Sequence, residues 1–279
     1  MISRRQFVIG VLGVPLFGAM ISLGQALRLE DRPRLLSIMG ASSLMGYVKA
    51  SLPQWERQHD FVRVALSPGG SYAGLKAVAS GHIDLALSDI EPPPGYIAVP
   101  LRRFRLGRIA IVIVAYPGVG VKGLQRDQVR ALFAGTIANW REVGGQNLSV
   151  IPVSRPLSSG ARQVLSSRLM KGTEFSSQAI IQLSNGAVAK TVRGSPGAVG
   201  YVEAVMPLSQ ILVMDLGQYH YCPANPHSWP LYAEPSIYVR EDAQPLAYNL
   251  AEYLSHGSQK SRFGIYSGPG EGGAVDENR

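Results

Sequence analysis

The chain has 279 residues, 46% of them hydrophobic and 16% charged, with a formal net charge of +8. That is ample for a globular fold with a large core, built as one big domain or two lobes. The lone cysteine, Cys222, excludes an intramolecular disulfide. The basic residues are scattered, with Arg102, Arg103 and Arg105 the only tight group and without the aromatic–basic interleaving of a nucleic-acid surface, so the expectation is a solvated basic face.

The N-terminus reads Ser3-Arg4-Arg5-Gln6-Phe7, then runs apolar to Leu23, with Gly24-Gln25-Ala26 as a cleavage site. These are the charged, apolar and small-residue zones of a secretory signal over residues 1–26. The paired arginines point to twin-arginine export, with an ordinary positively charged signal as the alternative. The stretch holds Pro15 and several glycines and is short for a membrane span. The mature protein is therefore expected in the periplasm or secreted.

Residues 34–39 read as a first strand, followed by Gly40-Ala41-Ser42-Ser43 and a helical pattern through Leu44, Tyr47, Val48 and Leu52 that Pro53 kinks or restarts. Residues 61–66 read as a second strand, leading into Gly69-Gly70-Ser71 and a helix closed by Gly81. Residues 83–87 are a third strand, ended by Ser88-Asp89 and Pro92-Pro93-Pro94. This strand–helix alternation builds a parallel sheet with helices on its faces. The run 109–115 is apolar throughout and reads as a buried central strand. A short helix over 126–133, a compact corner at 137–140 and a strand over 148–153 come next. Residues 161–170 and 174–193 read as helical, 199–202 and 211–214 as strands, and 230–239 as strand-like. Residues 244–255 form an amphipathic helix. From Ser267 to 279 the chain is Gly-rich and acidic, with no apolar periodicity, and reads as a disordered tail.

The stretch 151–161 carries the first functional signal. Arg155 precedes Pro156, which holds its backbone extended. Ser158 and Ser159 are N-cap residues for the helix that follows. A helix start favours negative charge, yet the first turn here has no Asp or Glu, while Arg155 and Arg162 flank it. The same acid-free Ser/Gly pattern follows the first strand at Ser42-Ser43 and the second at Ser71. In open α/β sheets ligands sit at the carboxyl ends of strands, so three such corners can converge on one small anion. Arg155 adds a planar, permanently charged fork suited to an oxyanion. Asp89, after the third strand, repels an anion that has no proton and accepts a hydrogen bond from one that does. Phosphate carries such a proton at neutral pH and sulfate does not. Asp89 otherwise reads as a turn residue or an ion-pair partner of Arg155.

Six segments stand in order: Gly40-Ala-Ser-Ser43, Gly69-Gly-Ser-Tyr-Ala-Gly-Leu-Lys76, Ile83-Asp-Leu-Ala-Leu-Ser-Asp89, Leu132-Phe-Ala-Gly-Thr-Ile-Ala-Asn-Trp140, Val153-Ser-Arg-Pro-Leu-Ser-Ser-Gly160 and Pro196-Gly-Ala-Val-Gly-Tyr201. Together they resemble the PstS-like periplasmic phosphate-binding proteins, the receptors of phosphate ABC transporters. The resemblance implies a two-lobed α/β periplasmic-binding-protein fold of type II, each lobe a mostly parallel sheet with helices on both faces. Lobe 1 is expected over 33–104 and 225–266, and lobe 2 over 105–224. It implies ligand binding by Ser42, the backbone at Ser43, Ser71, Asp89, Arg155, Ser159, Gly160 and Ala161. Relatives commonly carry Thr where this chain has Ala161, so one hydroxyl is lost there. The partners implied are inorganic phosphate and the permease subunits of an ABC transporter. The chain is expected to be a monomer with no enzyme activity, cofactor or nucleic-acid partner.

Other readings start from other residues. Gly69-Gly-Ser-Tyr-Ala-Gly is off the nucleophile-elbow spacing, and His59, His82, His220, His227 and His256 lie in no catalytic frame, which weighs against a serine hydrolase. His220, Cys222 and His227 form a loose zinc-like group without an evident fourth ligand. There is no Walker loop. A receptor for sulfate or molybdate, or a phosphate sensor with no transport role, is the competing binding reading.

Overall fold

The computed structural model describes residues 33–205 and 207–267. The expected signal segment and residues 268–279 of the expected tail lie outside the described residues. Among the described residues, fourteen strands and six α-helices follow in chain order. The strands are β1 Arg34–Gly40, β2 Val62–Pro68, β3 Leu85–Ser88, β4 Leu101–Arg105, β5 Arg108–Ala115, β6 Gly123–Leu124, β7 Ile151–Ser154, β8 Ile180–Ile181, β9 Ala198–Glu203, β10 Leu212–Val213, β11 Asp215–Leu216, β12 Tyr232–Ala233, β13 Ser236–Arg240 and β14 Ile265–Tyr266. The helices are α1 Met45–Glu56, α2 Ser71–Ala79, α3 Arg126–Ala134, α4 Gly160–Leu165, α5 Asn185–Gly194 and α6 Pro245–Ser255.

Two lobes form around two main sheets. The first sheet has the order β2-β1-β3-β13-β4. Alternation along β3 sets its two faces: Leu85 and Leu87 point into a core with Leu36, Ile38, Tyr47 and Leu250, while Ala86 packs with Leu75 and Val78 of α2 on the other side. The second sheet runs β10-β5-β9-β7-β8, with β12 and β14 also on β5. Its centre is β5, buried from Ile109 onward as its unbroken apolar run requires.

Both sheets are mixed in direction. β1 pairs parallel with β2 and β3, and β7 pairs parallel with β8 and β9. β13 and β5 run antiparallel to their neighbours. The reason is the crossover. The chain leaves the first sheet after β4, enters the second on β5, and returns from β12 into β13, so the strands at the junction run back against those already laid down.

Gly107 sits at the outward crossing, with φ +124°, where a Cβ would stand 2.4 Å from the Tyr266 carbonyl oxygen. The return crossing falls at Glu234–Pro235. Residues 225–233, expected with the first lobe, lie on the second sheet: Trp229 and Leu231 join its core and β12 pairs with β5.

Three local readings need correction. Residues 174–184 are not helical; only Asn185–Gly194 is. Ser184 caps that helix by accepting from the Ala187 N–H, and the β-branched pair Ile180–Ile181 is drawn alongside β7 instead. The stretch 230–239 is two strands split at Pro235, which has no N–H for a ladder. The helix from Gly160 continues past Leu165 as a π-helical turn, Ser166–Met170.

Candidate functional site

The first corner follows β1. The Ala41 N–H donates to Leu87 O at 2.9 Å, which ties the corner to the end of β3. α1 begins at Met45 behind an N-cap, Leu44, that has no side-chain cap. The Ser42 and Ser43 hydroxyls are thus spared for other partners. The second corner is bound to the first, because the Gly69 and Gly70 N–H groups both donate to Gly40 O, at 3.0 and 2.9 Å. Gly70 has φ +80°, and a Cβ there would stand 2.7 Å from Ser158 O of the facing lobe. Glycine is required by conformation and by space alike.

The third corner, on the second lobe, starts α4. Ser159 is the N-cap, its Oγ accepting from the Arg162 N–H at 3.4 Å. The N–H groups of Gly160 and Ala161 open the helix, where no intrahelical acceptor exists. None of the three helix starts has an acid in its first turn.

These corners meet at one place. The Tyr72 N–H donates to Ser158 O across the cleft at 3.2 Å. Ser43 Oγ donates to Asp89 Oδ1 at 2.5 Å, and the Asp89 N–H donates to Ser71 Oγ at 3.0 Å. Arg155 spans the lobes: Nη2 donates to Ser42 Oγ and to Leu183 O, each at 3.1 Å, and Nη1 to Asn185 Oδ1 at 3.1 Å. Its backbone N–H rests on the Tyr201 hydroxyl at 3.2 Å. Arg155 is only 3% exposed and Asp89 likewise 3%. The Asp89 carboxyl is held well above the usual carboxylate range, first by burial and then by the charge of Glu203.

The expected residues are therefore gathered: Ser42, Ser43, Ser71, Asp89, Arg155, Ser159 and Gly160 line one junction. Ala161 lies there through its backbone, while its methyl is fully buried in the core of the second lobe. Arg162, read as flanking the gap, turns away from it. Its Nη1 donates to Ser154 Oγ at 2.8 Å and to Arg155 O at 3.1 Å, and its guanidinium lies 4.3 Å from the centre of the Phe175 ring. It props the Arg155 backbone.

Sequence reasoning missed two residues here. Asn185 opens α5 and accepts from both the Arg155 side chain and the Glu203 N–H. Glu203 ends β9 at 1% exposure, with its Oε2 at 3.8 Å from Arg155 Nη1. A signal existed for Glu203: like Asp89, it is a carboxylate at the carboxyl end of a buried strand. Tyr201, quoted above only as part of a motif, supports Ser154 and Arg155 through its hydroxyl.

The other clusters do not assemble. His220 Nδ1 lies 2.6 Å from Asp215 Oδ1, and among the described residues no group of three His, Cys, Asp or Glu side chains is placed to hold a metal. The serine–histidine contacts among the described residues, Ser80 with His82 and Ser255 with His256, are exposed. The junction's chemistry is thus a ring of hydroxyls and helix-start N–H groups, one arginine fork and buried carboxyls, with no nucleophile–base pair.

A model of the PBP superfamily domain matches residues 29–262. The phosphate-binding protein PstS of Bacillus subtilis (strain 168) is 29% identical over 233 residues, covering 81% of this chain and 77% of the relative. Among solved structures, a protein from Clostridium perfringens, described as a phosphate ABC transporter substrate-binding protein with bound phosphate, superposes with a TM-score of 0.77. It is 19% identical and covers 84% of this chain and 100% of that one. An ABC-type phosphate transport receptor from Vibrio cholerae superposes with a TM-score of 0.70 at 23% identity, again covering 84% of this chain and 100% of that one. The matched span takes in every corner of the junction and both sheets apart from β14, and on it the chain belongs to the PBP superfamily, with a PstS-like sequence.

Proposed function

We propose that this protein binds inorganic phosphate between its two lobes, without covalent chemistry, and delivers it to the permease of an ABC transporter. The observation that carries the reading is the position of Arg155, buried and bonded across the cleft to Ser42, with Asp89 at the same junction. Arg155 supplies the fixed positive fork. The hydroxyls of Ser42, Ser71 and Ser159 and the N–H groups of Ser43, Gly160 and Ala161 supply the remaining donors. Asp89 takes a proton that phosphate has and sulfate lacks. In the closed arrangement protein groups occupy the fork, so an entering anion exchanges the Ser42 and Leu183 bonds of Arg155 for its own, and the lobes part and reclose about the crossings at Gly107 and Pro235.

The export signal supports a location outside the cytoplasm, in the periplasm or secreted, by the twin-arginine route. The protein works as a monomer, with residues 33–105 and 236–263 as one lobe and 108–233 as the other. The similarity to PstS proteins supports transport over a purely sensory role.

Titration calorimetry of the purified protein with phosphate, sulfate and molybdate tests the reading. Phosphate binding with sulfate rejected is the expected result. Equal binding of sulfate would mark a general oxyanion receptor, and binding of none would end the transport reading.

A further inference from the structure

A cavity of about 270 Å³ opens between the lobes beside Asp89. Tyr232 and Glu234, on either side of the return crossing, both line it, with Tyr72 and Glu91 on the first lobe and Ser167 and Arg168 on the second. Three carboxyls face this space, and each has a partner. Glu91 Oε2 accepts from Arg103 Nη1 at 2.7 Å, Glu234 Oε1 from Arg108 Nη2 at 3.4 Å, and Asp89 Oδ1 from Ser43 Oγ. The cation is different. Among the described residues the Arg168 side chain makes no hydrogen bond and no ion pair; its guanidinium lies 4.2 Å from the centre of the Tyr232 ring. Stacking on an aromatic ring holds a guanidinium without cancelling its charge, and leaves its in-plane N–H groups free to donate. The chain aims Arg168 by a local device. α4 opens at the junction with Gly160 and continues past Leu165 as the π-helical turn Ser166–Met170. That wider turn rotates its side chains relative to an unbroken α-helix. Leu169 and Met170 are buried in the second core, while Arg168 stays half-buried on the cavity wall.

We infer that Arg168 forms an outer anion subsite in this cavity: a small oxyanion meets its guanidinium before reaching Arg155, and the contact speeds capture without being part of the closed cage. This rests on the phosphate reading above. The two arginines are suited to different steps. Arg155 is 3% exposed, and its Nη groups are committed to Ser42, Leu183 and Asn185. Arg168 is accessible and uncommitted. Arg168 and Tyr232 both belong to the second lobe, so the free guanidinium keeps its place when the lobes part. An accessible charge acts at range and governs the rate of encounter, whereas a buried, hydrogen-bonded one governs the rate of escape.

The test is kinetic. Phosphate is mixed by stopped flow with wild-type protein, Arg168→Gln and Arg168→Lys at low and high salt, and binding is followed by intrinsic fluorescence. Arg168→Gln is expected to associate about threefold more slowly or worse, with a shallower dependence on salt and an unchanged dissociation rate. Arg168→Lys, which restores the charge, should recover most of the association rate. A glutamine variant that associates as fast as wild-type protein overturns the proposal. So does one whose loss lies in dissociation, which would place Arg168 in the cage, or a lysine variant as slow as the glutamine one. Failure of wild-type protein to bind phosphate in calorimetry overturns the underlying reading, and the proposal with it.

A second variant leaves Arg168 in place. Ser167 is exposed on the same wall, so Ser167→Glu sets an acid beside the guanidinium. It should slow association by a similar factor, again with dissociation unchanged. Unaltered association in Ser167→Glu overturns the proposal even where Arg168→Gln fails to fold.

Discussion

Gly160 and Asp89 face each other from opposite lobes so closely that no side chain fits between them. A Cβ on Gly160 would stand 2.6 Å from Asp89 Cβ and 2.5 Å from Ser71 Oγ. Neither neighbour is the loose end of a long side chain. Gly160 also opens α4, where alanine is the better helix former by about 1 kcal/mol. Gly160→Ala should therefore leave the second lobe as stable as before, or slightly more so, while holding the lobes apart. Phosphate affinity is expected to fall by at least tenfold with the melting temperature unchanged or raised. Small-angle scattering should show a larger radius of gyration in saturating phosphate than wild-type protein has. Unaltered affinity would mean that the lobes close differently.

Arg155 carries the charge of the junction, and its two roles can be separated. Arg155→Ala leaves Asp89 and Glu203 buried with no cation, and breaking a buried pair in this way costs about 3–5 kcal/mol. The melting temperature should drop by several degrees even without phosphate, and phosphate binding should be lost. Arg155→Lys keeps the charge but not the fork that reaches Ser42, Leu183 and Asn185 together. It should be the milder change in a thermal melt and still lose tenfold or more in affinity, about 1.4 kcal/mol. A lysine variant that binds as tightly as wild-type protein would remove the fork from the account.

What could be read from the chain was local, and what could not was pairwise. The three Ser/Gly corners announce themselves because each strand-to-helix turn needs glycine or a small hydroxyl residue and leaves out an acid. Asp89 was legible for the same reason, as a carboxylate closing a buried strand. Glu203 obeys that rule too, but its meaning depends on standing beside Arg155, 48 positions earlier, which no spacing announces. Asn185 matters because β8 carries its helix start up beside Arg155. The sequence of 174–184, rich in Ser and Gln, suits a helix surface equally well. The mixed sheet directions have the same origin: alternating strands and helices predict parallel neighbours, and only the crossings at Gly107 and Pro235 reverse them.

Asn185 gives a prediction of its own. Its single Oδ1 accepts from Arg155 Nη1 at 3.1 Å and from the Glu203 N–H at 3.2 Å. Asn185→Leu leaves two buried donors without an acceptor, at a cost of about 1–3 kcal/mol for each such group. The protein should melt several degrees lower, and phosphate should restore less of that loss than it adds to wild-type protein, because Arg155 is no longer held in place. Thermal melts with and without phosphate give both quantities. Equal stabilisation by phosphate in the two proteins would make Asn185 a packing residue only.

The selectivity argument turns on Asp89, and its pH dependence has a definite sign. Closing the cleft raises the proton affinity of this carboxyl, so an ionised Asp89 opposes closure. That opposition is absent below the usual carboxylate range and complete above the raised value. Phosphate offsets it by bringing a proton; sulfate cannot. Rejection of sulfate by wild-type protein should hence be full at high pH and weaken steadily as pH falls through the raised value. Asp89→Asn replaces the titrating group by a neutral amide able to donate to either anion. Its preference for phosphate over sulfate should shrink, and what remains should change less with pH than in wild-type protein. Competition calorimetry with both anions at several pH values separates the cases. A variant as selective as wild-type protein would take Asp89 out of the recognition of the anion and leave it as a partner of Ser43 and Ser71.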